Sequence, residues 1–262
     1  MSIKQLVVRC LAVLLLASTP ATAGEKLHIA VAANFLSTFK VLADEFEQKS
    51  GIETIISMGS TGKLYSQIIH GAPYHIYLAA DRKRPELLVQ QGLASESSLT
   101  HYATGVLLLW APEQQLSSHP LDDLETDRFR KIAIADIRNA PYGQASYSLL
   151  DQQNKLKKLQ AKLVYGDSVA QAFHMVAAGQ VQAGFVAKSQ LLAWDRSIRF
   201  TEPETGHAWE VPLHLYNPVE QYMVSLERNH SGTQVFIEFI QSSQARDIIH
   251  SFGYQTGSRH DD

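Results

Sequence analysis

A pair of hydroxyl residues, Ser60-Thr61, stands between two glycines at a strand-to-helix junction. Ile55 and Ile56 before it are apolar and β-branched, as in a buried strand, and Leu64, Ile68 and Ile69 after it follow at helical spacing. The first turn of a helix leaves N–H groups without partners and carries the positive end of the helix dipole, so an anion is favoured there. The two hydroxyls add donors without charge. The stretch therefore predicts a seat for an oxyanion.

Two other interpretations of this stretch have to be weighed. Ser60 and Thr61 could simply be helix caps, since both residue types are common in that role. Lys63 suggests a nucleotide P-loop, but that motif has four residues between its first glycine and Gly-Lys, followed by Ser or Thr. Here two residues separate the glycines and Leu64 follows Lys63. The spacing disfavours an NTPase and leaves the helix-cap interpretation open.

The elements around this junction alternate between strand and helix. Residues 26–33 read as a first strand that ends at Asn34, a helical pattern follows to residue 50, and a third strand covers 76–80. This order predicts a parallel, doubly wound sheet, whose ligand crevice lies at the C-terminal ends of the strands. Asn34 and Ser60-Thr61 both fall at that edge.

The second half of the chain offers two more helix starts. One is a helix predicted at 144–150 after the turn Pro141-Tyr142-Gly143, and the other follows Asp167-Ser168, which is predicted to cap a helix that carries Val169. Further strands or extended runs are predicted at 105–111, 131–136, 162–165, 183–187, 211–216 and 222–226, and closing helices at 234–239 and 243–251.

The first 23 residues differ from the rest of the chain. Lys4 and Arg9 precede or flank an apolar run at 11–17, and Ala21-Thr22-Ala23 has the small-x-small pattern of a cleavage site. We expect residues 1–23 to be a cleavable signal peptide and the mature protein to be periplasmic.

The composition of the chain after residue 23 limits the kinds of partner that it is expected to bind. Removing Lys4 and Arg9 from the 23 basic residues leaves 21 against 26 acidic ones, a net charge of −5, and the single cysteine is removed with them. Exported chains of this size can rely on a hydrophobic core without disulfides. The negative charge and the expected compartment disfavour nucleic acid as a partner.

Five motifs follow one another along the mature chain: Val31-Ala32-Ala33-Asn34-Phe35, Gly59-Ser60-Thr61-Gly62-Lys63-Leu64, Gly71-Ala72-Pro73, Ala79-Ala80-Asp81 and Phe252-Gly253-Tyr254. Together they resemble the periplasmic molybdate-binding proteins of ABC importers. The resemblance implies an α/β, two-lobed periplasmic-binding-protein fold (type II), with a mostly parallel sheet flanked by helices in each lobe and two crossover strands as hinge. It implies a first lobe of residues 24–104 plus 218–262 and a second lobe of residues 105–217.

The same resemblance implies a function and a set of contacts. It implies a monomeric receptor, not an enzyme and without a cofactor, that holds molybdate or tungstate between its lobes and delivers it to an inner-membrane ABC permease. The implied oxyanion contacts fall on side-chain donors of Asn34 and Thr61, with Ser60 beside it, and on backbone groups of Tyr142 and Val169. No residue is implied to ligate the metal atom directly. Some members complete the shell with a tyrosine hydroxyl where this chain has Ala187.

The physical chemistry of such ions agrees with these contacts. Molybdate and tungstate are doubly charged tetrahedra that accept hydrogen bonds, so neutral donors from helix starts can surround them without a buried counter-charge. Arg138, close to the Tyr142 turn, is accordingly expected to be a solvated loop residue. A receptor of the same fold for another oxyanion, sulfate or chromate, is the alternative.

The sequence gives weaker support to two further classes of protein, a serine hydrolase and a zinc receptor. Gly166-Asp167-Ser168 resembles the Gly-Asp-Ser motif of one hydrolase family, with Asp247 and His250 as acid and base. That family, however, carries its serine near the mature N-terminus. The 11 histidines include no pair at His-x-His, His-x-x-His or His-x-x-x-His spacing, so a zinc receptor is disfavoured.

Overall fold

The computed structural model describes residues 26–195, 207–226 and 229–256. The predicted signal peptide, residues 1–23, lies outside them. Among the described residues, no helix combines the length and the apolar character that crossing a bilayer requires.

Two five-stranded sheets organise the chain. The first has the order β2-β1-β3-β10-β4 and contains β1 (Leu27–Ala32), β2 (Thr54–Gly59), β3 (Ile76–Ala79), β4 (Thr100–Gly105) and β10 (Val219–Ser225). The second has the order β7-β6-β8-β5-β9 and contains β5 (Leu107–Trp110), β6 (Ile132–Ala135), β7 (Leu163–Gly166), β8 (Ala183–Ala187) and β9 (Ala208–Glu210).

Both sheets are mixed but mostly parallel, as predicted, because four of the five strands of each sheet run in the same direction. In the first, β1 pairs in parallel with β2 and β3, whereas β10 pairs antiparallel with β3 and β4. The second repeats this arrangement, with β6 parallel to β7 and β8 and with β5 antiparallel to β8 and β9. Each antiparallel pairing involves a strand next to a passage between the sheets. Such a strand is reached from the other sheet and not through a βαβ crossover, so the rule for parallel neighbours does not apply to it.

Helices cover the faces of these sheets. They are α1 (Leu36–Ser50), α2 (Thr61–Ile69), α3 (Lys83–Gln90), α4 (Pro120–Asp123), α5 (Pro141–Gln152), α6 (Leu156–Leu159), α7 (Val169–Ala177), α8 (Lys188–Trp194), α9 (Gly232–Ile240) and α10 (Ser243–Ser251). Short 3₁₀ segments occupy Ala33–Phe35, Glu96–Ser98, Gln160–Lys162 and Leu213–Leu215.

The longest of these helices shows how local sequence sets the packing. Phe39, Leu42 and Phe46 recur at helical spacing on α1 and are buried in the core of the first lobe. The helix ends at Gly51, whose φ of 71° is the left-handed conformation that glycine adopts without strain.

Within the residues that the structure describes, the chain passes between the sheets twice. The first passage is at Val106, between β4 and β5, and the second lies between Leu215 and β10. Separate hydrophobic clusters fill the two lobes, one around Phe35, Phe39 and Phe236 and the other around Phe129, Leu149 and Phe185. The exact lobe boundaries stay a prediction. The two-lobed architecture itself brings the C-terminal ends of β1 and β2 opposite the starts of α5 and α7.

Candidate functional site

One small cavity lies between the two lobes where these strand ends and helix starts meet. Nine residues line it, and none of them is charged: Ala33, Asn34, Ser60, Thr61, Ala140, Pro141, Tyr142, Ser168 and Val169. The structure therefore brings all five predicted site residues together. Even counting all space not filled by atoms, the cavity holds only about 190 Å³. Pockets for organic ligands are larger, roughly 300–1,000 Å³, so the cavity suits a compact ion.

Backbone donors come from three helix starts. Thr61 is the first residue of α2, Tyr142 the second of α5 and Val169 the first of α7. First-turn N–H groups have no acceptor within their own helix, and among the described residues none of these three N–H groups has another acceptor. Three unpartnered N–H groups and three helix dipoles thus converge from two lobes, which is an arrangement that favours a negative charge.

Two hydroxyls of the first lobe supply further donors. The Ser60 hydroxyl is buried and has no hydrogen-bond partner within the described structure. The Thr61 hydroxyl accepts a hydrogen bond from the N–H of Ala80 at 3.1 Å, which leaves its own proton free to donate. A buried hydroxyl without a partner is costly, and that of Ser60 belongs to the cavity lining, where it could donate to a ligand.

The helix-cap interpretation is correct for the position of Ser60 but wrong for its side chain. Ser60 occupies the N-cap position of α2, yet its side chain makes no capping hydrogen bond. Ser168 at the start of α7 provides the contrast, because its hydroxyl accepts from the N–H of Gln171 at 3.3 Å as a cap should. The predicted cap at Ser168 is confirmed.

The side chain of Asn34 departs from the predicted role of an anion donor. Both hydrogens of its amide are committed within the protein, to Oε1 of Gln221 at 2.9 Å and to the hydroxyl of Tyr254 at 3.0 Å. Asn34 lines the cavity, but its amide is held by the first lobe. Sequence reasoning missed Gln221 and Tyr254 because more than 180 residues separate them from Asn34; only Tyr254 stood in a quoted motif.

The side chain of Tyr142 extends toward the passage between the lobes. Its hydroxyl is buried without a partner among the described groups, and burial, followed by the nearby tyrosines, raises its pKa well above the ordinary value. It lies so close to Gly105 that a Cβ built there would be 2.1 Å from the hydroxyl oxygen. The backbone N–H of Tyr142, not a titrating side chain, is therefore what this residue offers a ligand. Ala187 is buried at the start of α8 and is absent from the cavity lining.

Direct contacts hold the lobes together over the cavity. The N–H of Gly62 donates to the carbonyl of Asn139 at 2.8 Å, and Nη2 of Arg84 donates to the carbonyl of Arg138 at 2.7 Å. At the surface, Nζ of Lys63 pairs with Asp167 at 2.7 Å. Each contact joins a residue of the first lobe to one of the second, so the structure is the closed form.

The remaining predictions concern charged and nucleophilic residues. The Arg138 side chain is 82% exposed, as expected, and its guanidinium lowers the pKa of the neighbouring Asp136. Ser168 serves as a helix cap, whereas Asp247 and His250 lie exposed on α10. No hydrogen bond joins these three residues in the described structure, so a Ser-His-Asp triad is not assembled.

A two-lobed α/β fold with a donor-lined cavity enclosed between its lobes defines the class of solute-binding proteins. Comparison with known proteins specifies this further. Residues 27–255 match the family model described as bacterial extracellular solute-binding protein, and the chain belongs to that family.

Individual relatives agree over nearly the whole chain. The molybdate-binding protein ModA of Rhodobacter capsulatus is 35% identical over 90% of this chain and 90% of its own. The protein of that name from Azotobacter vinelandii is 35% identical over 89% of this chain and 91% of its own. The solved structure of the Azotobacter vinelandii periplasmic molybdate-binding protein superposes with a TM-score of 0.80 at 33% identity, covering 89% of this chain and 100% of that one. The names of these relatives describe binding proteins for molybdate.

Proposed function

We propose that the protein is a monomeric periplasmic receptor that captures molybdate or tungstate between its lobes and delivers it to an ABC permease. The observation that carries this proposal is the cavity of unpartnered, uncharged donors contributed by both lobes. The names of the relatives described above support molybdate as the ligand.

The donor set fits a compact dianion that carries no proton. The proposed contacts are the backbone N–H groups of Asn34, Thr61, Tyr142 and Val169 and the hydroxyls of Ser60 and Thr61. All can donate and only the two hydroxyls can also accept, so the hydrogen of a protonated oxyanion would occupy a hydroxyl that otherwise donates. Hydrogen bonds to a charged acceptor are the stronger kind, and leaving some unmade around a smaller ion such as sulfate lowers its affinity.

Closure of the lobes would also signal occupancy to a permease. A ligand that bonds Thr61 in one lobe and Val169 in the other favours the closed form by its differential affinity. The permease would recognise that form, and release would follow when the lobes reopen.

Thermal unfolding tests the ligand class. We expect molybdate and tungstate to raise the melting temperature of the purified protein, because a ligand at a hundred times its Kd adds about 2.7 kcal/mol to the free energy of unfolding. Sulfate, chromate and phosphate at the same concentration serve as the comparison. Equal shifts for all the anions would contradict selectivity for molybdate and tungstate, and a shift confined to sulfate or chromate would favour the alternative receptor.

Ser60 and Thr61 should respond differently to removal of their hydroxyls. Ser60→Ala is expected to weaken molybdate binding by about 1.5–3 kcal/mol, the range for a hydrogen bond to a charged group, without loss of stability, since no protein contact disappears. Thr61→Ala should weaken binding similarly and also destabilise the ligand-free protein, because the N–H of Ala80 loses its acceptor.

Calorimetric titrations and ligand-free melts of both variants measure these effects, and Thr61→Ser, which retains the hydroxyl, is the matched control. Unchanged affinity in Ser60→Ala would show that its buried hydroxyl does not face the ligand.

A further inference from the structure

A buried polar network joins the two lobes behind the cavity. The carbonyl of Asn34 lies 2.9 Å from Oγ of Ser189 and 2.9 Å from the hydroxyl of Tyr254, and these two hydroxyl oxygens are 3.0 Å apart. Each of the three residues is about 2% exposed. Asn34 and Tyr254 belong to the first lobe, whereas Ser189 lies on α8 of the second. One cavity-lining residue is thus held by hydroxyls from both lobes.

The network fixes the orientation of Asn34. Its side-chain amide donates to the Tyr254 hydroxyl and to Oε1 of Gln221, and the amide of Gln221 donates in turn to the carbonyl of Val219 at 3.1 Å. Burial raises the pKa of Tyr254, so its hydroxyl keeps the proton that it donates. Groups in a buried network of this kind leave a costly unpaired partner when one is removed. Asn34 is therefore held in one position as long as all its partners are present.

Ser189 is placed so that it responds to movement of the lobes. It is the second residue of α8, and the N–H of the preceding Lys188 donates to the carbonyl of Val106 at the first passage between the lobes. On the other side, the side chain of Leu192 would be 2.8 Å from a Cβ built at Gly253, next to Tyr254. Ser189 therefore lies next to the residue at which the chain first passes between the lobes, and it contacts Asn34 across them.

We propose that Ser189, acting with Tyr254, is a positioning residue that orients Asn34 in the closed form and so sets how long the ligand stays bound. This inference rests on the proposed function, because it describes how the same cavity retains its oxyanion. Ser189 does not line the cavity, and its effect would pass through Asn34.

Stopped-flow kinetics with sodium molybdate tests this role. Ser189→Ala and Tyr254→Phe should each raise the dissociation rate about 3- to 10-fold, as expected for one net hydrogen bond. The association rate should stay within about twofold, because encounter precedes closure. The double variant should dissociate little faster than Tyr254→Phe alone, since both residues act through Asn34.

Matched controls separate positioning from general loss of stability. Ser98→Ala removes a buried hydroxyl that bonds Ser95 and Ser225, and Tyr102→Phe removes one that bonds Ala79; both lie within the first lobe. Equal dissociation rates in Ser189→Ala, Tyr254→Phe and these controls would overturn the inference while the wild type still bound molybdate. Failure of the wild type to bind would instead overturn the proposed function, and the inference with it.

Discussion

Alanine at Gly62 is expected to weaken molybdate binding about 10- to 100-fold while leaving the ligand-free protein as stable as before or more so. A Cβ at this position would lie 2.6 Å from Oδ1 and 2.9 Å from Cα of Asn139, and 3.0 Å from Arg84. Asn139 belongs to the second lobe, so the added methyl group obstructs closure. Overpacking of this kind costs about 1–3 kcal/mol, which sets the expected range of affinity.

Gly62→Ala is informative because it should lower the affinity for molybdate without lowering the stability of the ligand-free protein. Gly62 lies in the first turn of α2, where alanine is the better helix former by up to about 1 kcal/mol. Ser66→Ala, at an exposed position of the same helix, controls for helix propensity alone. Thermal unfolding of the ligand-free variants measures their stability, and titration with molybdate measures their affinity. Wild-type affinity in a folded Gly62→Ala protein would mean that closure does not bring Gly62 against Asn139.

Among single substitutions in the second lobe, Val169→Pro should reduce the affinity for molybdate most. Val169→Ala should leave that affinity nearly unchanged. Proline removes the backbone N–H that we assign to the ligand, yet it is tolerated at the first position of a helix. The preceding Ser168 has φ −152° and ψ 167°, an extended conformation that is compatible with a following proline. The expected loss is about 1.5–3 kcal/mol for a hydrogen bond to a charged acceptor.

The comparison of the two Val169 variants isolates the amide. Val169→Ala removes most of the same buried side chain but keeps the N–H, so it reports the cost of lost packing. Circular dichroism establishes that each variant is folded before titration. Tight molybdate binding by a folded Val169→Pro protein would show that the second lobe holds its ligand through another group.

Local signals in the sequence were sufficient to predict two of the helix starts that form the site, at Thr61 and Val169, whereas the helix predicted from Gln144 begins earlier, at Pro141. Glycine, proline and serine mark the turns before Thr61, Tyr142 and Val169, and such turn chemistry acts over a few residues. The positions of Asn34 and Ser60 just after two strands were predicted from the apolar runs that precede them. These predictions needed no knowledge of the tertiary structure, and the structure brings the residues together at one cavity.

Features that depend on distant parts of the chain could not be read in this way. The order of the first sheet places β10 between β3 and β4, and the return of the C-terminal segment to that lobe was implied by the resemblance alone. The run 211–216, predicted as extended, contains the 3₁₀ segment Leu213–Leu215 and follows strand β9 at Ala208–Glu210. The commitment of the Asn34 amide to Gln221 and Tyr254 arises only when the distant segments of the first lobe are folded together.

Calorimetric titration of the purified, ligand-free protein with molybdate, tungstate, sulfate and phosphate tests the central claim most directly. We expect molybdate and tungstate to bind at one site per chain, with sulfate and phosphate at least about 100-fold weaker, the discrimination that unpaired donors around a poorly fitting anion can supply. Indistinguishable affinities for the four anions, or no binding of molybdate, would contradict it.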